Sequence, residues 1–291
     1  MQNKYIIGSQ NIGVRIETEN IDIESLWNEI TDNPLLLRFI PNLTLGGTAD
    51  ATLKVIGNST KQASLAPHAF IRGTYKNDFS STDVIVMAEY ALERKRQEKN
   101  IYTLHSSSVS KGDKALLLIA NLTGSGKTST MLYLNNFHGY KIYSDEKVQI
   151  DGLKNLVGQV KKVFIEDKTR SLLEQNQISL GKEITIEDIG HKKLSLIVIP
   201  QINSAETVEI VQYGKGQSKW LIYEELSKDI RLVNGLVHNF TYPLMSQDTF
   251  ELAQSRERLA DSLAENIPVF LVKGSLKKVA EETKRLFEEL A

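Results

Sequence analysis

Between Ala115 and Thr128 the chain passes from an apolar run, Ala115-Leu-Leu-Leu-Ile-Ala120, directly into Asn121-Leu-Thr-Gly-Ser-Gly-Lys-Thr128. The apolar run predicts a buried strand, the small residues a turn, and the residues after Thr128 a helix. That order gathers several backbone N–H groups and the positive end of a helix dipole at one spot, which is where an anion belongs. Lys127 is placed to reach the β- and γ-phosphates of a nucleotide, and the Thr128 hydroxyl to sit on the Mg²⁺ that bridges them. The phosphate-loop pattern begins with Gly, and here Asn121 stands in that position. Asn tolerates a left-handed backbone better than most residues, so the turn is retained. The candidate nucleotide contacts are therefore Asn121, Thr123, Gly124, Ser125, Gly126, Lys127, Thr128 and Ser129. A Gly-rich turn without a ligand is the plainer alternative.

Downstream, Ser129 to Phe137 predicts a helix stopped at Gly139, and Tyr140 to Ser144 a strand that ends in Asp145-Glu146. A strand, crossover helix and parallel strand wind right-handed, so both strands end on the same edge of the sheet. This puts Asp145 and Glu146 beside the phosphate loop, where an acid holds Mg²⁺ or accepts a proton. Upstream, Ile101 to Val109 predicts one strand carrying His105, joined to the loop strand by the turn Ser110-Lys-Gly-Asp113. The register of that hairpin decides whether His105 lies near the nucleotide end of the sheet.

The first eighty residues alternate like strands at Ile12/Val14/Ile16, Ala51/Leu53/Val55 and Ala69/Ile71, with a short helix and loop around Trp27 to Ile40. They read as a small mixed α/β domain. A helix opens at Ser81, with Val84, Met87, Ala88 and Ala91 on one face and Glu93 to Asn100 as a charged end expected to be solvated. This helix is the expected joint between an N-terminal domain, 1–98, and a P-loop domain, 99–291. Beyond Glu146 the pattern predicts a hairpin on Asp151-Gly152, strands at Val163 to Ile165, Ile184 to Ile186 and Leu194 to Ile199, and a hairpin of Val208 to Tyr213 with Lys219 to Glu225. Helices over Asp229 to Val237 and Asp248 to Ala264, a strand Ile267 to Val272 and an amphipathic helix Leu276 to Leu290 complete the expectation.

Composition removes several function classes. Thirty-five basic and 36 acidic residues leave a net charge of −1, so no global field favours nucleic acid or an anionic membrane as partner. The absence of Cys excludes disulfides, Cys-zinc sites and thiol catalysis. The five His are scattered without a helical pair, which argues against a metal hydrolase. No signal-peptide core is seen and no apolar run approaches ~18 residues, so a cytoplasmic location without membrane contact is expected.

Leu104-His105 ahead of a Ser-rich strand, Asn121 to Thr128, and Gly139-Tyr-Lys-Ile-Tyr-Ser-Asp-Glu146, at these spacings, resemble the HPr kinase-like family. That family has the phosphoenolpyruvate-carboxykinase type of P-loop. The resemblance is firm over Ile101 to Ile150, loose towards the C-terminus and very weak before Ser81. It implies an α/β fold: a phosphoenolpyruvate-carboxykinase-like P-loop kinase domain, a mixed sheet with helices, preceded by a small mixed α/β N-terminal domain. It further implies Lys127, Asp145 and His105 as catalytic residues, with Asp145 the acid/base, and Thr128, Glu146 and Asp145 around Mg²⁺. The implied activity moves the γ-phosphate of ATP, or another nucleoside triphosphate, to a hydroxyl, by analogy a Ser of a protein or peptide. A homo-oligomer is compatible with this. The alternative is a nucleotide-binding regulatory or assembly protein of the same fold without phosphotransfer. A GTPase switch is disfavoured because the guanine-reading Asn-Lys-x-Asp is absent.

Overall fold

In the computed structural model, which describes residues 4–120, 124–205, 207–231 and 244–290, the chain is an α/β protein of mixed sheets and helices. It divides into two compact units, Met1–Thr103 with Leu226–Arg256, and Leu104–Glu225 with Glu257–Ala291. A single boundary at 98/99 differs from this division because the chain returns to the first unit. The return is held by polar contacts to one helix: Arg94 Nη1 donates to Gln247 O at 2.7 Å, Gln247 Nε2 to Tyr90 O at 2.9 Å, and Arg256 Nη1 to Gln97 Oε1 at 2.7 Å. No helix among the described residues is long and apolar enough to cross a membrane.

The first unit contains β1 (Ile6–Ser9), β2 (Ile12–Glu19), α1 (Ile23–Thr31), α2 (Leu35–Phe39), β3 (Leu43–Leu45), β4 (Ala51–Gly57), β5 (Gln62–Ser64), β6 (Ala69–Gly73) and α3 (Ser81–Glu98). Its sheet has the order β3-β1-β2-β4-β6-β5, with β2, β4 and β6 parallel and the remaining neighbours antiparallel. Period-2 alternation sends Val14, Ile16, Leu53, Val55 and Ile71 to one core, and α3 covers them with Val84, Met87, Ala88 and Ala91. The charged end of α3 is only partly solvated. Arg96 is fully buried and pairs with Glu89 at 2.6 Å and Glu93 at 3.0 Å, both buried, while Arg94 and Lys95 pair with Glu98 nearer the surface. A buried guanidinium needs this full set of partners, and local charge alternation does not reveal it.

β7 (Ile101–Leu104) leads into the second unit, which holds β8 (Ser107–Lys111), β9 (Lys114–Leu118), α4 (Lys127–His138), β10 (Lys141–Ser144), β11 (Val148–Asp151), β12 (Asn155–Gln159), β13 (Lys162–Phe164), α5 (Asp167–Gln175), β14 (Glu183–Thr185), β15 (Lys192–Ile202) and β16 (Glu209–Gln212). The helices α6 (Lys215–Arg231) and α7 (Phe250–Asn266), then β17 (Val269–Gly274) and α8 (Leu276–Leu290), follow. β15 is central. It runs parallel to β9 on one side; on the other it meets β12 antiparallel at its start and β17 parallel at its end. β8 is antiparallel to both β9 and β10, so β9, β10, β15 and β17 all point one way. Leu116, Leu118, Leu196, Val198 and Val272 share a core with Met131, Leu134, Val279 and Phe287 of α4 and α8.

Three expectations are corrected. Ile101 to Val109 is two strands broken at His105-Ser106. The buried strand does not stop at Ile199 but continues through Pro200, whose partner across the ladder is Val272. The expected hairpin of 208–225 is instead a strand followed by a helix, since Lys219 to Glu225 lies within α6. Ser218, Leu221, Ile222 and Glu225 are buried at helical spacing there, which overrides the β propensity of Trp220, Ile222 and Tyr223. Of the expected helix at 229–237, residues 232–237 lie outside the described residues.

Candidate functional site

The loop after β9 is built by backbone constraints that only glycine meets. Ile119 N donates to Val198 O at 3.0 Å, carrying β9 one step beyond its last residue, and Ile202 N donates to Ser125 O at 3.1 Å, tying the returning loop to the end of β15. Gly124 has φ 79° and Gly126 φ 103°, both in the region that favours glycine. At Gly126 a Cβ would also lie 2.2 Å from Ile202 Cγ1, so strain and contact both exclude a side chain. Asn121 and Thr123 lie outside the described residues.

Gly126 caps α4, and Thr130 N closes the first helical turn on Gly126 O at 2.9 Å. Side-chain caps start α1 and α3, where Asp22 accepts from Glu24 N and Ser25 N and Asp83 accepts from Ser80 N, whereas α2 and α5 have none. At α4 no side chain caps the terminus and the first turn carries no acid. Its leading N–H groups and dipole are thus left for an anion. The Ser125 hydroxyl points the same way chemically, since it is buried with no hydrogen-bond partner among the described residues. Lys127 is the first helical residue and Thr128 the second; Ser129, at 3% exposure, offers a ligand its backbone N–H only.

Because β10 runs with β9, its carboxyl end arrives at the same edge, and Asp145 meets the loop. Thr128 Oγ1 donates to Asp145 Oδ1 at 3.1 Å and lies 3.2 Å from Oδ2, while Ser107 Oγ donates to Oδ1 in a short hydrogen bond. Asp145 is 2% exposed. Burial first, and then the neighbouring Glu146 carboxylate, push its pKa up from 3.8 to about 6, against the pull of the Ser107, Glu146 backbone and Thr128 hydrogen bonds.

Glu146 occupies φ 63°, and Lys147 N donates to Asp145 O at 2.6 Å across it, a γ-turn with positive φ at a non-glycine residue. Such strain collects at functional sites. The turn aims two successive carboxylates differently: Asp145 is buried against the loop, while Glu146 is half-exposed, with Oε2 3.9 Å from His105 Nδ1. His105 reaches this position because β7 and β8 break there, and Ser106 N donates to Glu146 O at 3.2 Å to hold the break. Lys127, Thr128, Asp145, Glu146 and His105 therefore belong to one edge of one sheet.

The donor set fits a hard divalent cation. Thr128 offers a hydroxyl and Asp145 the carboxylate bonded to it, oxygen ligands of the kind Mg²⁺ takes together with substrate phosphates, and Glu146 adds a half-exposed carboxylate one residue on. Among the described residues no cluster of three or more His, Asp or Glu groups forms an all-protein metal cage.

Two residues of the site escape motif reading. Ser107 had a signal, since three consecutive serines on a buried strand must each find a partner. Ser106 Oγ and Ser108 Oγ spend theirs on the carbonyls of Leu104 and Leu116, and only Ser107 goes to a carboxylate. Ile202 had none, because its role is steric and long-range. No protein-family model and no curated protein matches the chain.

Proposed function

We propose that the chain is a phosphotransferase that moves the γ-phosphate of ATP, or another nucleoside triphosphate, to a hydroxyl, with the Ser of a protein or peptide as acceptor. The observation that carries the reading is the buried Asp145 carboxylate held by the hydroxyl of Thr128, in the first turn of a helix whose N-terminus no side chain caps. An acid at the end of the strand that directly follows the loop helix also supports the phosphoenolpyruvate-carboxykinase-like version of the P-loop fold for the second unit.

Phosphoryl transfer asks a protein for charge neutralisation and in-line positioning. The α4 N-terminus and Lys127 hold the β- and γ-phosphates; Mg²⁺, on Thr128, Asp145 and Glu146, supplies further neutralisation when bound. Asp145, buried and hydrogen-bonded to the Thr128 hydroxyl, accepts the proton of the attacking hydroxyl. The oxygen then bonds to the γ-phosphorus while the bridging P–O bond breaks and the nucleoside diphosphate leaves. His105 lies beside Glu146, its Nδ1 3.9 Å from the Glu146 Oε2.

The test is incubation of the purified protein with γ-labelled ATP, Mg²⁺ and a cell lysate. Label moving to one protein or peptide band is expected, and Asp145→Asn should reduce the transfer rate by roughly 10² to 10⁴ while nucleotide binding changes much less. Nucleotide binding without transfer in the unaltered protein would favour the regulatory reading. Near-normal turnover in Asp145→Asn would remove Asp145 as the base.

A further inference from the structure

We infer that Lys168 is a second phosphate-binding cation of this site, reaching across the loop from the first turn of α5. The inference rests on reading Gly124 to Thr128 as a phosphate loop. The Lys168 ammonium lies 3.8 Å from the point that a Cβ on Gly124 would occupy, and no other atom outside the loop's immediate chain neighbours comes within 4 Å of that point among the described residues. Sequence distance hides this approach, since Lys168 follows the loop by some forty residues and belongs to no motif.

The Lys168 side chain has neither an ion pair nor a hydrogen bond among the described residues, as is also true of Lys161 and Lys154, so what distinguishes it is its place beside Gly124. The adjacent Asp167 is engaged by Arg170, so the nearest acid in sequence does not neutralise it. A cation in the first turn of a helix opposes the helix dipole, so the fold of α5 gains nothing from a lysine at this position. An ammonium with no internal partner beside a helix N-terminus that no side chain caps is suited to a polyphosphate. Lys127 at the helix start and Lys168 from the opposite element then flank the same phosphates.

The experiment is titration calorimetry of the full-length protein with ATP and Mg²⁺, and with inorganic triphosphate and Mg²⁺. Lys168 is exposed and makes no bond among the described residues, so Lys168→Ala should fold normally. It should bind both ligands roughly tenfold more weakly, as expected for one lost charge-assisted contact. Lys168→Arg should keep most of the affinity, and Lys161→Ala, an exposed cation of the same segment, should match the unaltered protein. Equal affinity in Lys168→Ala, or an equal loss in Lys161→Ala, overturns the inference and leaves the loop reading intact. No binding by the unaltered protein overturns both.

Discussion

Asp145 is the residue at which stability and the proposed chemistry oppose each other. Its carboxyl is buried, and its pKa is raised from 3.8 to about 6, first by burial and then by Glu146. The folded state therefore holds the proton more tightly than the unfolded state does. Stability from this group is full below the unfolded pKa near 4, declines as pH rises towards 6, and is flat above that. At neutral pH the ionised group costs the fold about 2–3 kcal/mol, taking roughly 1.4 kcal/mol per pKa unit. Asp145→Asn keeps the shape and removes the charge. In chelator-treated protein the variant should melt at a higher temperature than the unaltered chain at pH 8, and the gap should shrink by pH 5. Melting curves at the two pH values decide it: a variant less stable at pH 8 would mean that the Ser107 and Thr128 hydrogen bonds outweigh burial. A buried carboxylate that the fold would be better without is what the proposed role of Asp145 as a base leads one to expect.

At the scale of elements, the described end of the loop ahead of α4, Gly124 to Gly126, owes its shape to Gly126, where φ 103° and the side chain of Ile202 act together. Gly126→Ala should destabilise the second unit by about 2–4 kcal/mol, from an L-residue at positive φ and from overpacking against Ile202. Denaturant melts of Gly126→Ala, Ile202→Ala and the double variant test the contact. Ile202→Ala should cost less in the Gly126→Ala background than alone, because it removes the clash but not the φ strain. Strict additivity would show that Ile202 does not constrain the loop. The part of this element pair that lies within one stretch of sequence, strand, glycines, Lys-Thr and helix, is legible in the sequence, as is the acid after the next strand. What is not legible comes from elsewhere in the chain: Ile202 on a strand expected to end before Pro200, and which of three consecutive serines turns to the carboxylate. The expected hairpin at 208–225 fails for a different reason. Gly214 and Gly216 with flanking aromatic and β-branched residues mimic a hairpin locally, and only the burial of Ser218, Leu221, Ile222 and Glu225 shows the helical period.

For the molecule as a whole, the end of α3 marks the change of unit in the sequence, but the return of Leu226–Arg256 to the first unit leaves no trace in the hydrophobic pattern. The reason is that its anchors are polar and distant in sequence: Gln247 on Tyr90 and Arg94, Arg256 on Gln97, and Tyr102 on Ser255 at 2.8 Å. Arg256 is fully buried, and it also donates to Ser227 and Asp248 within the returning segment itself. A fragment beginning at Asn100 would therefore keep Arg256 and Gln247 but lose α3. Each buried donor left without its acceptor costs about 1–3 kcal/mol, more for the guanidinium, and the apolar face of the segment loses its cover as well. The expected result is that 100–291 alone gives no cooperative melt and no nucleotide binding, although the loop, Asp145, Glu146 and His105 are all on it. Co-expression of 1–99 with 100–291 as separate chains should restore a complex that copurifies, melts cooperatively and binds nucleotide, because the missing acceptors return without a covalent link. If 100–291 alone melts cooperatively at the temperature of the full chain, the polar anchors are not needed for folding, and the second unit with its returning segment stands without the first.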